Sequence, residues 1–186
     1  MDNQQKSLPH SKHPQAIAEQ LNKANRASIQ IKFITNGAVE CNLERTSEGI
    51  PTVGFQVANV ITEDRKRMGD WSNKFQFQLH PDHELIQLIH YLTGRLVIKE
   101  SEYGLQFKYH GKHNDKMMTF KFNSDGSLVV NGIQKKAELK CNATIKPTAV
   151  AQLITLAYKA YAAHFKISVL EAITLLKMSP VAEAPK

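Results

Sequence analysis

An α+β fold is what the sequence predicts: antiparallel β-sheets in two similar strand-rich halves, each followed by a covering helix, with a further helix near the C-terminal end. Three observations predict it. Apolar and polar residues alternate with period two over 28–80 and again over 96–141. Asn36-Gly37 and Ser124-Asp125-Gly126 stand between such runs, where a hairpin turn tolerates positive φ. Each set of strands then gives way to a proline and an apolar stripe at helical spacing.

The elements follow in order. Residues 1–13 are polar and aperiodic and are predicted to be a disordered tail. Pro14 opens a short helix with Ile17, Leu21 and Ala24 on one side. Strands are predicted over 28–35, from Val39 to Glu44, over 52–61 and over 74–80, with a charged loop from Glu63 to Trp71 before the last. In that last run Phe75, Phe77 and Leu79 alternate with Lys74, Gln76 and Gln78. Pro81 starts a helix striped by Leu85, Ile86, Leu88, Ile89 and Leu92, and Gly94 stops it.

The second half reads as strands over 96–102, 105–110, 117–123, 128–130 and 136–141, with Asn131-Gly132 expected to break the chain. A long helix follows Pro147. Ser168-Val169-Leu170-Glu171 is a capping box that starts another, running to about Met178. The predicted organisation is therefore a tail over 1–13, one domain over 14–178 with internal pseudo-duplication (28–95 and 96–166), and a flexible tail over 179–186.

Composition narrows the function. The 186 residues include 24 Lys+Arg against 17 Asp+Glu, a formal charge of +7. The excess lies in the second half, with +3 in residues 96–144 and +3 in residues 145–186. A basic excess of this kind supports a polyanionic partner; a merely solvated basic surface is the alternative. No apolar run reaches the roughly 20 residues of a membrane-spanning helix, so no membrane partner is expected. The opening residues lack a signal-peptide core, and Cys41 and Cys141 stand far apart, so a cytoplasmic protein is expected. No Gly-x-Ser-x-Gly, phosphate-binding glycine loop or dinucleotide fingerprint occurs, so neither catalysis nor a cofactor is expected. His80-Pro81-Asp82-His83-Glu84 and the His110/His113 pair match no metal-site spacing and read as capping or surface histidines, as His90 and His164 read as surface or boundary residues.

The outward positions of the strands include Gln30, Lys32, Lys74, Gln76, Gln78, Gln106, Lys108, Lys121, Lys136 and Lys140, diluted by Glu40, Glu44 and Glu138. Lysines neutralise phosphates, and glutamines hydrogen-bond backbone or base edges. Phe33, Phe75, Phe77, Phe107, Phe120 and Phe122 fall on the apolar phase and belong to the core. Stacking platforms are therefore sought in loops, at Trp71 and Tyr103, with Trp71 also readable as a satellite-core plug. Arg65-Lys66-Arg67 beside Trp71 is a phosphate clamp or a solvated loop balanced by Glu63, Asp64 and Asp70. Lys112 and Lys116, around His110 and His113, form a second basic arm.

Two strand-rich halves, each closed by a helix and turning polar-basic faces outward, resemble the Whirly-type single-stranded nucleic-acid-binding fold over residues 28–178. The Lys-Gly-Lys-Ala motif of the plant members is absent here, and no motif residue is carried over. The resemblance implies sequence-tolerant binding of single strands across sheet edges and oligomerisation through helices. The expected protein is a non-catalytic binder of single-stranded nucleic acid, DNA preferred over RNA, and a homo-oligomer. The alternative is an assembly subunit that uses its C-terminal helices.

Overall fold

The computed structural model describes residues 30–98, 103–111 and 114–181. The predicted tail over 1–13 and the helix after Pro14 lie outside them. Within them nine strands form two antiparallel sheets.

In the first sheet, β1 (Gln30–Ile34) pairs with β2 (Gly37–Arg45), and β2 pairs with β3 (Pro51–Glu63). Thirteen residues long, β3 serves two further partners. Gly54–Val57 take β5 (Phe75–Gln78), and Val60–Glu63 take β4 (Lys66–Gly69). This corrects the predicted charged loop. Asp64 and Arg65 both adopt positive φ, 48° and 64°, which makes a two-residue hairpin turn and places Lys66 and Arg67 in a strand. Trp71 is likewise not in a loop but opens a 3-10 turn, Trp71–Asn73, capped by the Asp70 carboxylate.

The second sheet is a meander: β6 (Leu105–Gly111), β7 (Asn114–Phe122), β8 (Leu128–Gln134) and β9 (Leu139–Ile145). It has four strands rather than the five expected. Leu96–Ile98 are not a strand, and Lys99–Glu102 lie outside the described residues. Asn131-Gly132 does not break the chain but sits inside β8, paired to Thr119 and Met118. Lys136 lies on a 3-10 turn, Lys135–Ala137, and the final strand runs on through Asn142 to Ile145.

Helices cover part of the sheets, as predicted, and the apolar faces of the two sheets also meet each other. Phe55 of β3 meets Phe120 of β7 edge-on, centroids 5.1 Å apart, and Phe107 lies 6.0 Å from Phe120. Phe75 of β5 rests on the backbone of Gly132 in β8, so closely that a Cβ at Gly132 would enter its ring. Phe75, Phe77, Phe107 and Phe120 are buried as expected, and Phe122 partly so; Phe55 is buried with them. The Phe33 side chain lies outside the description.

The helices extend this core. α1 (Glu84–Leu92) buries Leu85, Leu88, Ile89 and Leu92 and stops at Gly94 with φ +71°. α2 (Pro147–Phe165) has Pro147 in its first turn, lies against β2 and β3, and packs between α1 and α3 (Val169–Met178). The capping box is present in both directions, Glu171 N–H to Ser168 Oγ at 3.1 Å and Ser168 N–H to Glu171 Oε2 at 2.7 Å. One histidine departs from expectation. His90 is fully buried, not a surface group, with Ser179 Oγ 3.4 Å from its Nε2. Burial, followed by the Arg95 charge, pushes its pKa down. Among the described residues no helix is long and apolar enough to cross a membrane.

The contact of Phe75 with Gly132 yields a test. Gly132→Ala should lower the unfolding free energy by about 1–3 kcal/mol in urea titration, because the sheets must part to admit one methyl. Adding Phe75→Leu should recover part of that loss; a double variant with strictly additive losses would contradict the contact.

Candidate nucleic-acid interface

Because the apolar faces meet, each sheet turns a polar face outward, and the two faces differ. On the first sheet Lys32, Glu40, Gln56 and Gln76 stand side by side across β1, β2, β3 and β5. Much of this face is engaged by the chain itself. Lys32 Nζ bonds Glu40 Oε2 at 2.9 Å, and Asn42 Nδ2 donates to Glu40 Oε1 at 2.9 Å. Half-buried Trp71 packs by Gly69, which touches Ala38, and Lys32 Nζ lies 5.7 Å from its ring centre. Lys74 Nζ donates to Gln56 Oε1 at 2.8 Å. Arg67 reaches the Thr35 carbonyl at 2.6 Å, whereas Arg65 and Lys66 project from the exposed β3–β4 turn.

The outer face of β6–β9 is different. Its cross-strand rows are Gln106–Thr119–Asn131–Asn142, Lys108–Met117–Ile133–Lys140 and Lys121–Val129–Thr144. No carboxylate occurs in these three rows. Lys108, Lys121 and Lys140 are exposed, while Met117, Val129 and Ile133 are half-buried between them. Asn142 Nδ2 donates to Asn131 Oδ1 at 2.5 Å and Asn36 Nδ2 to Asn142 Oδ1 at 2.8 Å, so the β1–β2 turn docks on the β9 edge. Thr35 Oγ1 and Asn59 Nδ2 also meet β9 backbone carbonyls, at Thr144 and Lys140. That edge is therefore covered by the first sheet. Lys136 is exposed on its turn, and Tyr103 lies 80% exposed just before β6.

A groove of about 610 Å³ runs where the edge of β5 approaches β6 and β7. Gln76, Gln78, Lys108, Tyr109 and Lys116 line it, and Tyr109 is 55% exposed there. Gln78 Nε2 is held by Glu44 Oε2 and the Arg45 carbonyl at 3.1 and 3.0 Å. Lys116 Nζ donates to the Gln76 carbonyl at 2.9 Å and lies 5.9 Å from the Phe75 ring centre; burial pushes its pKa down. At the groove's end the β2–β3 turn brings Glu48, the turn before α1 brings His80, Asp82 and His83, and the first residue of α1 brings Glu84. His164 of α2 is partly buried and bonded to Asp82 Oδ1 at 2.8 Å. Among the described residues no group of three His, Cys, Asp or Glu is placed to hold a metal ion.

The structure thus brings Gln76, Gln78 and Lys108 together in the groove and joins Lys108 to Lys121 and Lys140 on the outer face. It sets Lys32 on the first sheet, Trp71 and Lys74 in the 3-10 turn and cap that lead into β5, and Arg65, Lys66, Lys136 and Tyr103 at separate points. Tyr109 was not among the residues singled out in the sequence, because it falls on the apolar phase of β6. Its position in the last residues before the hairpin is the signal that the phase no longer implies burial there. Lys116 was expected in a loop but lies in β7, opposite Tyr109.

The fold is similar to two solved structures from Arabidopsis thaliana. WHY3 aligns at a TM-score of 0.47 and 13% identity, covering 81% of this chain and 95% of that one. WHY1 aligns at 0.46 and 13%, covering 84% and 96%. This is a weak resemblance in topology to Whirly proteins, as the order of elements predicts. No protein-family model matches the chain, and no curated protein matches it.

The ion pair of exposed Lys32 with buried Glu40 generates an asymmetric expectation. Glu40→Ala should destabilise by about 1–3 kcal/mol, since it strips partners from a buried bond network. Lys32→Ala should cost under about 1 kcal/mol, because the lysine is half-exposed. Equal losses in thermal or urea unfolding would contradict this reading.

Proposed function

We propose that the chain is a non-catalytic, sequence-tolerant binder of single-stranded nucleic acid. The observation that supports it is the outer face of β6–β9, where three exposed lysines stand among amides and aliphatics with no carboxylate in their rows. Each lysine that meets a phosphate releases counterions, which gives affinity without sequence preference. Asn131, Asn142 and Gln106 add hydrogen bonds to backbone or base edges. Lys108 leads from this face into the groove, where Tyr109 offers an exposed ring to an unstacked base, and Tyr103 offers another nearby in sequence. A duplex hides its base faces and gains nothing from such rings, so a single strand suits the site better. Arg65, Lys66 and Lys136 would act as peripheral phosphate contacts. Lys32, Lys74 and Trp71 contribute less in this reading, being engaged within the first sheet. A reducing cytoplasmic setting suits the buried thiols Cys41 and Cys141.

A gel shift with oligonucleotides of about 30 nucleotides tests the reading. Single-stranded DNA should be retained at micromolar protein or better, more tightly than duplex DNA or RNA, with affinity falling steeply as salt rises. Lys108→Gln, Lys121→Gln and Lys140→Gln together should flatten the salt slope by about two, near 0.7 for each lost phosphate contact. Tyr109→Ala should weaken binding about ten-fold at constant slope. No retention at low salt would overturn the proposal.

A second observation favours self-association, the other part of this reading. Leu170 and Met178 of α3 are 73% and 80% exposed, and Leu175 and Phe165 are also open, whereas Ala172 and Leu176 face the chain's own core. Such a face fits burial against a second copy. Light scattering after gel filtration should report an oligomer, and Leu170→Lys with Met178→Lys should yield a folded monomer. An already monomeric wild type would remove this part of the proposal.

A further inference from the structure

On the outer face of β6–β9 one row is built unlike the next. Met117 of β7 stands opposite Ile133 of β8, both half-buried, with exposed Lys108 and Lys140 at the two ends of the row. Outward positions of a half-solvated sheet ordinarily take polar residues, so this adjacent pair makes a small apolar platform between two ammonium groups. The neighbouring row is Gln106–Thr119–Asn131–Asn142. It lies two residues along the strands, about 7 Å away, so the edge of a base resting on the platform falls at its amides. We propose that Asn131 reads the edge of a base lying on Met117 and Ile133, and that it selects bases presenting a keto group there over those presenting an amino group. This deepens the single-strand reading above and rests on it.

The selectivity comes from how the amide is held. Asn142 Nδ2 donates to Asn131 Oδ1 at 2.5 Å, and Asn36 Nδ2 donates to Asn142 Oδ1 at 2.8 Å. Three amides thus run in one direction, from the β1–β2 turn across β9 to β8. Asn142 is exposed and Asn131 half-buried, so the relay lies at the surface where a base can meet it. Asn131 turns its oxygen to β9, and its Nδ2 has no acceptor among the described residues. An unconstrained carboxamide favours adenine, because its oxygen and nitrogen together match an amino group beside a ring nitrogen. With the oxygen engaged along the sheet, Asn131 faces the base as a donor. It therefore suits the keto oxygen of thymine, uracil or guanine, and meets the amino group of cytosine or adenine donor to donor. The platform takes the face of any base, so the result is a modest bias on a sequence-tolerant surface. Asn36 acts through the relay and is a positioning residue.

The experiment measures binding of two single-stranded DNAs of about 30 nucleotides, oligo(dU) and oligo(dC), to the full chain by fluorescence anisotropy at constant ionic strength and about pH 8, where lysines stay charged. The two share backbone and ring size and differ in the keto or amino group and the adjoining ring nitrogen. Wild type should bind oligo(dU) about five-fold more tightly, the size of one net hydrogen bond. Asn131→Ala should weaken oligo(dU) binding and bring the ratio below about two. Asn36→Ala, on an exposed turn, should lower the ratio by less; a merely structural loss would weaken both strands alike and leave the ratio unmoved. Matched thermal unfolding midpoints establish that the variants are folded. A wild-type ratio near one, or a full ratio retained in Asn131→Ala, overturns the proposal while leaving the single-strand reading intact. A ratio lost in Asn131→Ala but kept whole in Asn36→Ala overturns the relay. No binding of either strand overturns both readings.

Discussion

The fold depends on two sheets sharing one apolar layer. Phe75 needs the bare backbone of Gly132 beneath it, and Phe55 needs the edge of Phe107's neighbour Phe120. Fully buried aromatic side chains of this size contribute a large share of the driving force for folding, each worth roughly 1.5–3 kcal/mol in transfer from water. Once those faces are joined, every second residue of each strand must point outward. The docking of the β1–β2 turn on β9 covers one edge of the second sheet, and the approach of β5 to β6 and β7 leaves a groove on the other side. The groove and the outward faces are thus by-products of how the core closes.

The two outward faces serve different ends. The first sheet spends its polar groups on itself. Glu40 collects Lys32 and Asn42, Lys74 is tied to Gln56, and Trp71 folds over the end near Ala38. The second sheet leaves its lysines at the surface and keeps carboxylates out of its three central rows. The formal excess of positive charge in the second half of the sequence is thereby turned into a local field, which net charge alone does not specify. The groove is a third environment, in which opposite charges and imidazoles are mixed.

Much of the fold was legible in the sequence because its signals are local. Alternation in Phe75–Gln78 and around Met118 and Phe120, Gly94 at a helix end and the Ser168–Glu171 box each depend on a few neighbouring residues, and each is where it was expected. The hairpin at Asn36-Gly37 also forms, but neither residue adopts positive φ, and Gly37 has to be bare because the backbone of Asn142 lies against it. The misreadings share one cause. Asn131-Gly132 looks like a turn until Phe75, more than 50 residues away, is seen to need the glycine in mid-strand. The segment from Glu63 to Trp71 looks like a charged loop because charged residues dominate it. It nevertheless forms a hairpin, since Asp64 and Arg65 accept left-handed conformations that residue type only weakly announces.

For the candidate site, the sequence by itself determined which residues face outward on each strand and that lysines and amides predominate there, since side-chain period in a strand is a local property. It also determined the Gly94 stop and the Ser168–Glu171 cap, and that Phe75, Phe77, Phe107 and Phe120 are core. Only the tertiary structure decided that the sheets also meet each other face to face, beside the helices that cover them. That packing also decided that Lys32 and Trp71 are engaged at home, and that Gln76, Lys108, Tyr109 and the His80–His83 pair line one groove. Those outcomes turn on contacts between residues tens of positions apart, and periodicity along a chain holds no information about which of its faces will meet.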